Sequence, residues 1–244
     1  MAQIIMTKKM LKELHGLLNS LRDEFQIKLT PEGLECKEVD PAHVALVHIK
    51  IPKERLKLYE HLPEETAVSL DVDWLPKIYR KGEKGDIRFE WDKETNKVFL
   101  HYFIKEMPIV EMRYAPDMTG MSNVKIPNMT LPCKFEVSAD DLAQVTDLAQ
   151  EFADHIAIEA WDGNVHLRAT GDTKSMDAVV CPAPSKERYR SLFPLDYFSN
   201  IMRASTFAEK LTVELGNDYP IMLHGRTGEG IEFTFMLAPR LESD

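Results

Sequence analysis

Paired carboxylates are the residues of this sequence that could most readily hold a metal ion. Asp71 and Asp73 flank a single valine, and Asp140 is followed directly by Asp141. Both pairs stand where a helix is predicted to begin, and acidic side chains at that point satisfy free N–H groups and the helix dipole. We therefore interpret both pairs as helix-capping residues and predict no metal site.

The other patterns that could do chemistry are typical of turns and buried thiols. Residues 225–230 are rich in glycine but lack the Gly-Lys-Ser/Thr ending of a phosphate-binding loop, which favours a hairpin loop. The eight histidines show no HxxxH or HxH spacing, and there is no GxSxG motif. Cys36, Cys133 and Cys181 lie far apart and indicate reduced thiols of an intracellular protein. The sequence predicts neither enzyme activity nor a cofactor.

Basic side chains in the first part of the chain could contact phosphate groups. A predicted helix over about residues 8–22 carries a polar stripe at helical spacing, formed by Lys8, Lys12, His15, Asn19 and Arg22. A second predicted helix, about residues 72–81, places Lys77, Arg80 and Lys81 near its end, where the helix dipole favours cations. Such a face is often only solvated, and an internal repeat is what favours a phosphate-binding role.

The sequence contains this internal duplication. An offset of 131 superposes Thr7 and the leucines at 11, 14, 17 and 21 on Ser138 and four apolar residues of a second stretch. An offset of 123 superposes residues 73–80 on residues 196–203. Alternating segments follow each helix, so each half reads as helix, strand hairpin, helix and strand hairpin. We predict an α+β fold of two duplicated domains with mostly antiparallel sheets.

Length and charge agree with this division. The 244 residues suit two domains of about 120 residues each. No apolar run approaches the roughly 20 residues of a membrane span, and there is no signal-peptide pattern. The net charge is −10, but residues 1–116 carry 19 Lys/Arg against 20 Asp/Glu, whereas residues 117–244 carry 11 against 20. Positive charge suited to nucleic acid is therefore local to the first half.

A segment without helical or strand periodicity separates the two halves. Residues 115–129 are interrupted by Pro and Gly, which predicts an extended linker. The segment is unusually apolar, with Met118, Met121, Val124, Ile126 and Met129, and this favours a surface offered to a partner. We expect an N-terminal domain over residues 1–116, a connecting loop over 117–133 and a C-terminal domain over 134–244.

Two segments, residues 39–47 and 237–242, closely resemble the sliding clamps called proliferating cell nuclear antigen (PCNA), most of all the archaeal members. The resemblance extends over the whole chain, through the duplicated halves, Ile126-Pro127 in the linker and Tyr219-Pro220 near the end. It implies a closed ring of three subunits, with helices lining a central hole and antiparallel sheets outside. Duplex DNA would pass through the hole, and the clamp would act as a processivity factor without doing chemistry.

The resemblance also implies three sets of site residues. The DNA-binding set joins the basic positions that match the family, Lys12, Lys77, Arg80 and Arg203, to Lys8 and Lys81 from the helix faces above. The partner-binding pocket is Val39, His43, Val44, Leu46, Ile126, Pro127, Pro220, Ala238, Pro239 and Leu241, and it would receive a short motif with Gln, an aliphatic residue and paired aromatics. The subunit interface, in segments 108–114 and 175–181, is Ile109, Val110, Met112, Tyr114, Met176, Ala178 and Val180. The third and fourth helices depart from the family pattern with Gln144, Asp147, Glu151 and Asp196.

The partners implied by the resemblance are those of DNA replication and repair. They are duplex DNA bound without sequence preference, two further copies of the chain in a homotrimer, DNA polymerase, the clamp loader (replication factor C), flap endonuclease and DNA ligase. We expect no membrane partner and a cytoplasmic, nucleoid-associated location in an archaeon. One subunit of a heterotrimeric or checkpoint-type clamp stays open as an alternative. An enzyme on a clamp-like fold is disfavoured, because a catalytic set is missing.

Overall fold

The structure is a computed structural model that describes residues 1–21, 24–60, 66–80, 85–115, 126–127, 129–184 and 186–241. The first half contains β1 (Ala2–Thr7), α1 (Lys8–Leu18), β2 (Glu24–Thr30), β3 (Gly33–Val39), β4 (Ala45–Pro52), β5 (Leu58–Glu60), β6 (Thr66–Asp71), α2 (Leu75–Arg80), β7 (Asp86–Asp92), β8 (Lys97–Ile104) and β9 (Met107–Tyr114). The second half contains β10 (Cys133–Ser138), α3 (Ala139–Gln150), β11 (His155–Trp161), β12 (Asn164–Thr170), β13 (Ser175–Pro182), β14 (Tyr189–Pro194), α4 (Leu195–Ser205), β15 (Ala208–Leu215), β16 (Ile221–Thr227) and β17 (Glu232–Leu237).

The chain forms two compact units, and each includes a short segment from the other half of the sequence. The first unit contains residues 1–38 and 47–124 together with residues 229–232. The second contains residues 125–228 and 233–244 together with residues 39–46. The predicted domain division at 116, 117–133 and 134 stays a prediction, because most of the linker lies outside the described residues. Met118, Met121 and Val124 fall in that part.

The first unit places strands β5-β1-β7-β8-β9 in one sheet and runs β4-β3-β2-β6 as neighbours in another. The registered pairs are antiparallel, as the alternating sequence predicts. Thr7 is the N-cap residue of helix α1, and its hydroxyl accepts a hydrogen bond from the N–H of Met10 at 2.9 Å. Its apolar stripe, including Leu11, Leu14 and Leu17, is buried, and α1 packs against α2.

Residues 229–232 complete the start of α1. The Glu229 carboxylate accepts a hydrogen bond from the Thr7 hydroxyl at 2.8 Å and lies 3.2 Å from the Lys9 ammonium. The N–H of Glu229 donates to the Glu13 carboxylate at 3.2 Å. The start of α1 is therefore hydrogen-bonded to a loop residue that lies 222 positions later in the sequence.

The second unit repeats the plan of the first. Strands β13-β12-β11-β14 form one sheet, and β10-β15-β16-β17 run as neighbours in another. Ser138 caps α3 as Thr7 caps α1, accepting from the N–H of Asp141 at 3.2 Å. Helix α3 packs against α4, over a core that includes Leu142, Phe193 and Phe198.

The predicted α+β fold with antiparallel sheets is confirmed, and the helix bounds differ slightly from expectation. Helix α1 ends at Leu18 rather than near residue 22, with Asn19 as its C-cap residue. Residues 72–74 form a short 3₁₀ turn, and the α-helix itself begins at Leu75. No helix among the described residues is long and apolar enough to cross a membrane.

Candidate functional site

A single carboxylate organises the loop of residues 40–45, which we call the docking loop. Asp40 accepts hydrogen bonds from the N–H groups of Ala42 at 2.9 Å, Val44 at 2.6 Å and Ala45 at 2.6 Å. The Tyr197 hydroxyl donates a fourth, at 2.9 Å. Burial alone would raise the pKa of Asp40, which is 2% exposed, but these hydrogen bonds outweigh it and hold the pKa below its ordinary value.

The residues of the predicted pocket all belong to the second unit and differ in exposure. Six are half-buried apolar residues, namely Val39, Val44, Ile126, Pro220, Ala238 and Pro239. His43, Pro127 and Leu241 are exposed, with Leu241 reaching 68%. Leu46 is buried and contributes to the core. Partly exposed apolar side chains of this kind suit a binding surface better than a core. The pocket assignment itself stays a prediction.

The C-terminal tail, residues 238–241, is joined to the docking loop. The N–H of Ala238 donates to the carbonyl oxygen of Val44 at 2.9 Å, and the N–H of Arg240 donates to that of Leu192 in β14 at 2.7 Å. The tail therefore runs in contact with the loop at one end and with β14 at the other. Three of the predicted pocket segments, the loop, the tail and the residues after β15, are held by β14 and α4.

Two side chains near this surface were not predicted. Tyr219 is 56% exposed, and its carbonyl oxygen accepts from the Ser191 hydroxyl at 3.3 Å. Arg240 is exposed and contacts the ring of His155. Tyrosine and arginine are residue types that often dominate binding energy at interfaces. The sequence could have indicated both residues, because each stands next to a proline of the predicted pocket.

Strand β9 is the last strand of its sheet among the residues that the structure describes, and it exposes apolar side chains. Val110, Met112 and Tyr114 are exposed, whereas Ile109 and the charged residues between them are half-buried on the other face. Phe103 lies across from Pro108 in the register and is exposed as well. A terminal strand with this composition is prone to pair with another chain.

Strand β13 is also the last strand of its sheet in the described part of the chain. Met176, Ala178 and Val180 share one half-buried face, and Asp177 and Val179 are exposed on the other. Both segments predicted for the subunit interface are thus terminal strands, one in each unit. Their pairing with a second copy stays a prediction.

The half-buried face of β9 is anchored to the segment before α2. Glu111 accepts hydrogen bonds from the indole N–H of Trp74 at 2.8 Å and from the Tyr102 hydroxyl. Burial, together with Glu111, raises the pKa of Tyr102 to about 12. Arg113 stacks on the Trp74 ring at 4.8 Å and lies 3.6 Å from Asp71. The same Asp71 accepts from the Asp73 N–H at 2.8 Å, in line with the capping role predicted for this pair.

Two of the predicted DNA-binding residues are exposed cations. Lys12 on α1 and Lys77 on α2 are exposed, and neither has an ion-pair partner among the described residues. Arg80 ends α2, but its side chain lies outside the described part, and so does the whole of Lys81. The DNA-binding role of Lys12, Lys77, Arg80 and Lys81 stays a prediction.

Lys8 and His15 correct the polar stripe predicted on α1. Lys8 is buried and donates from Nζ to the carbonyl oxygen of Phe103 at 3.2 Å, and burial lowers the pKa of its ammonium. His15 is buried too, with Nδ1 3.0 Å from the Tyr79 hydroxyl. The expectation that Lys8 faces open solvent and phosphate is wrong, because the end of β8 covers the start of the helix.

Arg203, the basic residue predicted in the second unit, is already engaged by neighbours. Its guanidinium donates to the Asp147 carboxylate at 3.2 and 3.0 Å and to the Gln150 side-chain oxygen at 2.8 Å. Both partners lie on α3. The cation therefore has an acidic partner within its own unit, in an ion pair whose two side chains are both exposed.

The described residues contain no group of three or more His, Cys, Asp or Glu side chains that could hold a metal ion. Burial raises the pKa of the Cys36 and Cys133 thiols, and burial with Cys133 nearby raises that of Cys181 to about 11. These cysteines remain thiols rather than nucleophilic thiolates at neutral pH.

Comparison with known proteins places the chain beside the archaeal clamps. No family model matches the sequence. The DNA polymerase sliding clamp of Methanococcoides burtonii is 28% identical over 247 residues, which cover 96% of each chain.

Solved structures share the fold. The PCNA of Archaeoglobus fulgidus bound to the C-terminal region of FEN-1 matches with a TM-score of 0.88 at 24% identity, over 100% of both chains. A PCNA2–PCNA3 complex from Sulfolobus tokodaii matches at 0.83 and 18% identity, over 98% of this chain and 100% of that one. The resemblance read from the sequence is confirmed.

Proposed function

We propose that this chain, a homologue of archaeal DNA polymerase sliding clamps, encircles duplex DNA and tethers DNA polymerase as a processivity factor. The observation that carries the proposal is the agreement with such clamps over essentially the full length of both chains, in sequence and in fold. The duplicated plan and the terminal strands of the two units support it independently.

Ring closure would use the two terminal strands. Strands β9 and β13 are each an edge strand, one in each unit, so one copy can join to the next head to tail, and such contacts close into a ring if the rotation allows. Closure would also remove two unpaired sheet edges, which otherwise invite aggregation. We propose a homotrimer joined through Ile109, Val110, Met112 and Tyr114 of one copy and Met176, Ala178 and Val180 of the next.

DNA contact would come mainly from the first unit. Lys12 and Lys77 are exposed cations, and Arg80 and Lys81 follow in the same segment. Contacts to phosphate give salt-dependent affinity without reading sequence, as sliding requires. Arg203 adds little, because Asp147 and Gln150 hold it.

Partner enzymes would dock at the surface formed by the docking loop, Ile126 and the tail. The A. fulgidus PCNA was solved with the C-terminal region of FEN-1, which supports a flap endonuclease among the partners. DNA polymerase, the clamp loader and DNA ligase are proposed to use the same surface through short motifs. The protein itself would perform no chemistry and need no cofactor.

A topological experiment tests the proposed function. The protein is loaded by a clamp loader onto nicked circular DNA, and the protein retained is measured before and after the circle is cut once. A ring held by topology stays on the circle and is lost from the linear product. Equal retention on both would contradict the proposal, since it would indicate ordinary binding.

A heteromeric clamp is the second candidate, and the likeness to the PCNA2–PCNA3 complex favours considering it. Light scattering on the purified protein alone separates the two. A mass of three chains supports the homotrimer, and a monomer that forms a ring only with a second protein supports the heterotrimeric or checkpoint-type clamp.

A further inference from the structure

We propose that Asp40, held from helix α4 by Tyr197, is the positioning residue that gives the docking loop the shape its partner peptide recognises. The inference rests on the proposed docking function and deepens it. Asp40 and Tyr197 both lie outside the predicted pocket set, whereas their neighbours Val39, His43 and Val44 belong to it.

The carboxylate holds most of the loop by itself. Three N–H groups within six residues point at the Asp40 oxygens, at 2.6 to 2.9 Å. The backbone closes around them, since the Asp40 N–H donates to the Ala45 carbonyl and the His43 N–H donates to the Asp40 carbonyl, both at 3.0 Å. A loop organised from one central acceptor loses its shape when that acceptor is removed.

The loop needs this support because its conformation is unfavourable. His43 has a φ of 58°, in the left-handed region that residues other than glycine seldom adopt. Such a residue persists only where surrounding contacts over-determine the backbone. The hydrogen bonds from Ala42 and Val44, on either side of His43, supply that constraint.

The shape of the loop controls more than its own side chains. The Val44 carbonyl oxygen accepts the Ala238 N–H at 2.9 Å, so a displaced loop also releases the start of the C-terminal tail. His43, Val44 and Ala238, all predicted pocket residues, would shift together. A peptide that contacts the loop and the tail would therefore detect the state of Asp40.

Tyr197 joins the loop to a rigid element. It stands in the first turn of α4, and its hydroxyl donates to the Asp40 oxygen that also accepts from Ala42. An ionised carboxylate offers only acceptors, which suits four donors converging on it. The hydrogen bond to Asp40 accordingly raises the pKa of Tyr197.

Two small substitutions test the role. Asp40→Asn keeps the size of the side chain but replaces an acceptor with a donor, and Tyr197→Phe removes one hydroxyl. Asp196→Asn and Tyr189→Phe are the matched controls in the same unit. The Asp196 carboxylate accepts from the adjacent Tyr197 N–H and makes no described bond to the docking loop, and the Tyr189 hydroxyl bonds to exposed Glu187.

Peptide affinity is measured by calorimetry with a synthetic peptide that carries Gln, an aliphatic residue and two adjacent aromatics. We expect Asp40→Asn to weaken binding by about tenfold or more and Tyr197→Phe by about two- to fivefold, with both controls within about twofold of the wild type. Because Tyr197 acts through Asp40, the double variant should bind no more weakly than Asp40→Asn alone. A merely structural role for Tyr197 would give additive losses.

Amide hydrogen exchange supplies the second readout. In Asp40→Asn the N–H groups of Ala42, Val44 and Ala45 should exchange faster, while those of β11 and β12 keep their protection. Wild-type peptide affinity in a variant with faster loop exchange would overturn the inference. If Asp40→Asn did not fold, unchanged affinity in Tyr197→Phe would overturn it equally.

The outcomes also separate this inference from the proposed function. A wild-type protein that binds no such peptide would refute the docking function and the inference with it. A wild-type protein that binds, with additive losses for Asp40 and Tyr197, would refute the inference alone.

Discussion

Helices α1 and α3 begin in the same way and differ on their exposed sides. Thr7 and Ser138 each accept from the N–H three residues on, at 2.9 and 3.2 Å, and each precedes a buried apolar stripe. At the offset of 131, however, exposed Lys12 corresponds to Ala143, and at the offset of 123 exposed Lys77 corresponds to Asn200. Caps and cores are required by the architecture of both units, whereas exposed charge is not. The two units therefore share a scaffold but not the exposed cations of α1 and α2.

The largest expected effect is on the oligomeric state, through the edge strands β9 of the first unit and β13 of the second. Val179→Pro removes an N–H from β13, and a charged residue in place of Ala178 disrupts its half-buried face, so both should convert trimers into monomers. Light scattering at low micromolar concentration measures the mass. Val179→Thr keeps the N–H and the branched side chain and should stay trimeric. Trimers that survive both disruptive changes would contradict this interface.

The second effect concerns a surface that belongs to the second unit alone. Leu241→Ala and Ile126→Ala should each weaken binding of a polymerase-tail peptide by about thirtyfold, roughly 2 kcal/mol, because truncating an apolar anchor removes its buried contact. Calorimetry compares both with the wild type. Met107→Ala, an exposed methionine of the first unit, is the control and should bind normally. Equal affinities in all four proteins would refute the pocket.

A smaller effect tests the charge difference directly. Lys12→Ala and Lys77→Ala should reduce clamp-stimulated polymerase processivity and flatten its dependence on salt, by about one unit of log–log slope for each phosphate that is no longer neutralised. Lys9→Ala is the control on the same helix, because Lys9 is paired with Glu13 at 3.7 Å and Glu229 at 3.2 Å. Arg203→Ala should change little. A loss of processivity in Arg203→Ala, with none in Lys12→Ala and Lys77→Ala, would show that the second unit supplies the phosphate contacts.

The smallest effect is expected at the ion pair between α3 and α4. Asp147→Asn frees Arg203 for phosphate and should raise processivity slightly, since an exposed ion pair is worth only about 0.2–1 kcal/mol. Reversing the charge of Glu151, which lies 3.9 Å from Lys174, should leave processivity unchanged or raise it. Adding Arg203→Ala to Asp147→Asn should cancel the gain. A collapse of processivity in Asp147→Asn would show that DNA runs along another face.

Local patterns predicted much of this fold. Alternation indicated strands such as β7 and β15, and cap residues with apolar spacing indicated where α1 and α3 begin. Strands β9 and β13, each at an end of its sheet in the described part of the chain, also lie where the sequence predicted segments 108–114 and 175–181. These features depend on neighbours within about ten residues, which is the range over which periodicity carries information.

Contacts between distant residues were not predictable in this way. Lys8 sits on the polar side of its helix by spacing, yet Phe103, 95 positions away, covers it. Arg203 is neutralised by Asp147 across 56 positions, and Asp40 is held by Tyr197 across 157. The sequence shows which hydrogen bonds and ion pairs each side chain can form, and the fold determines which partner it contacts.

The tie between Glu229 and the start of α1 has a consequence for how the protein is made. The Thr7 hydroxyl finds its acceptor 222 positions later in the chain. At the roughly 5–20 residues per second of protein synthesis, the emerging helix waits on the order of 10 to 45 s on the ribosome for that carboxylate. The first unit is therefore synthesised first but completed late, because the start of its first helix lacks this hydrogen bond until Glu229 has been made.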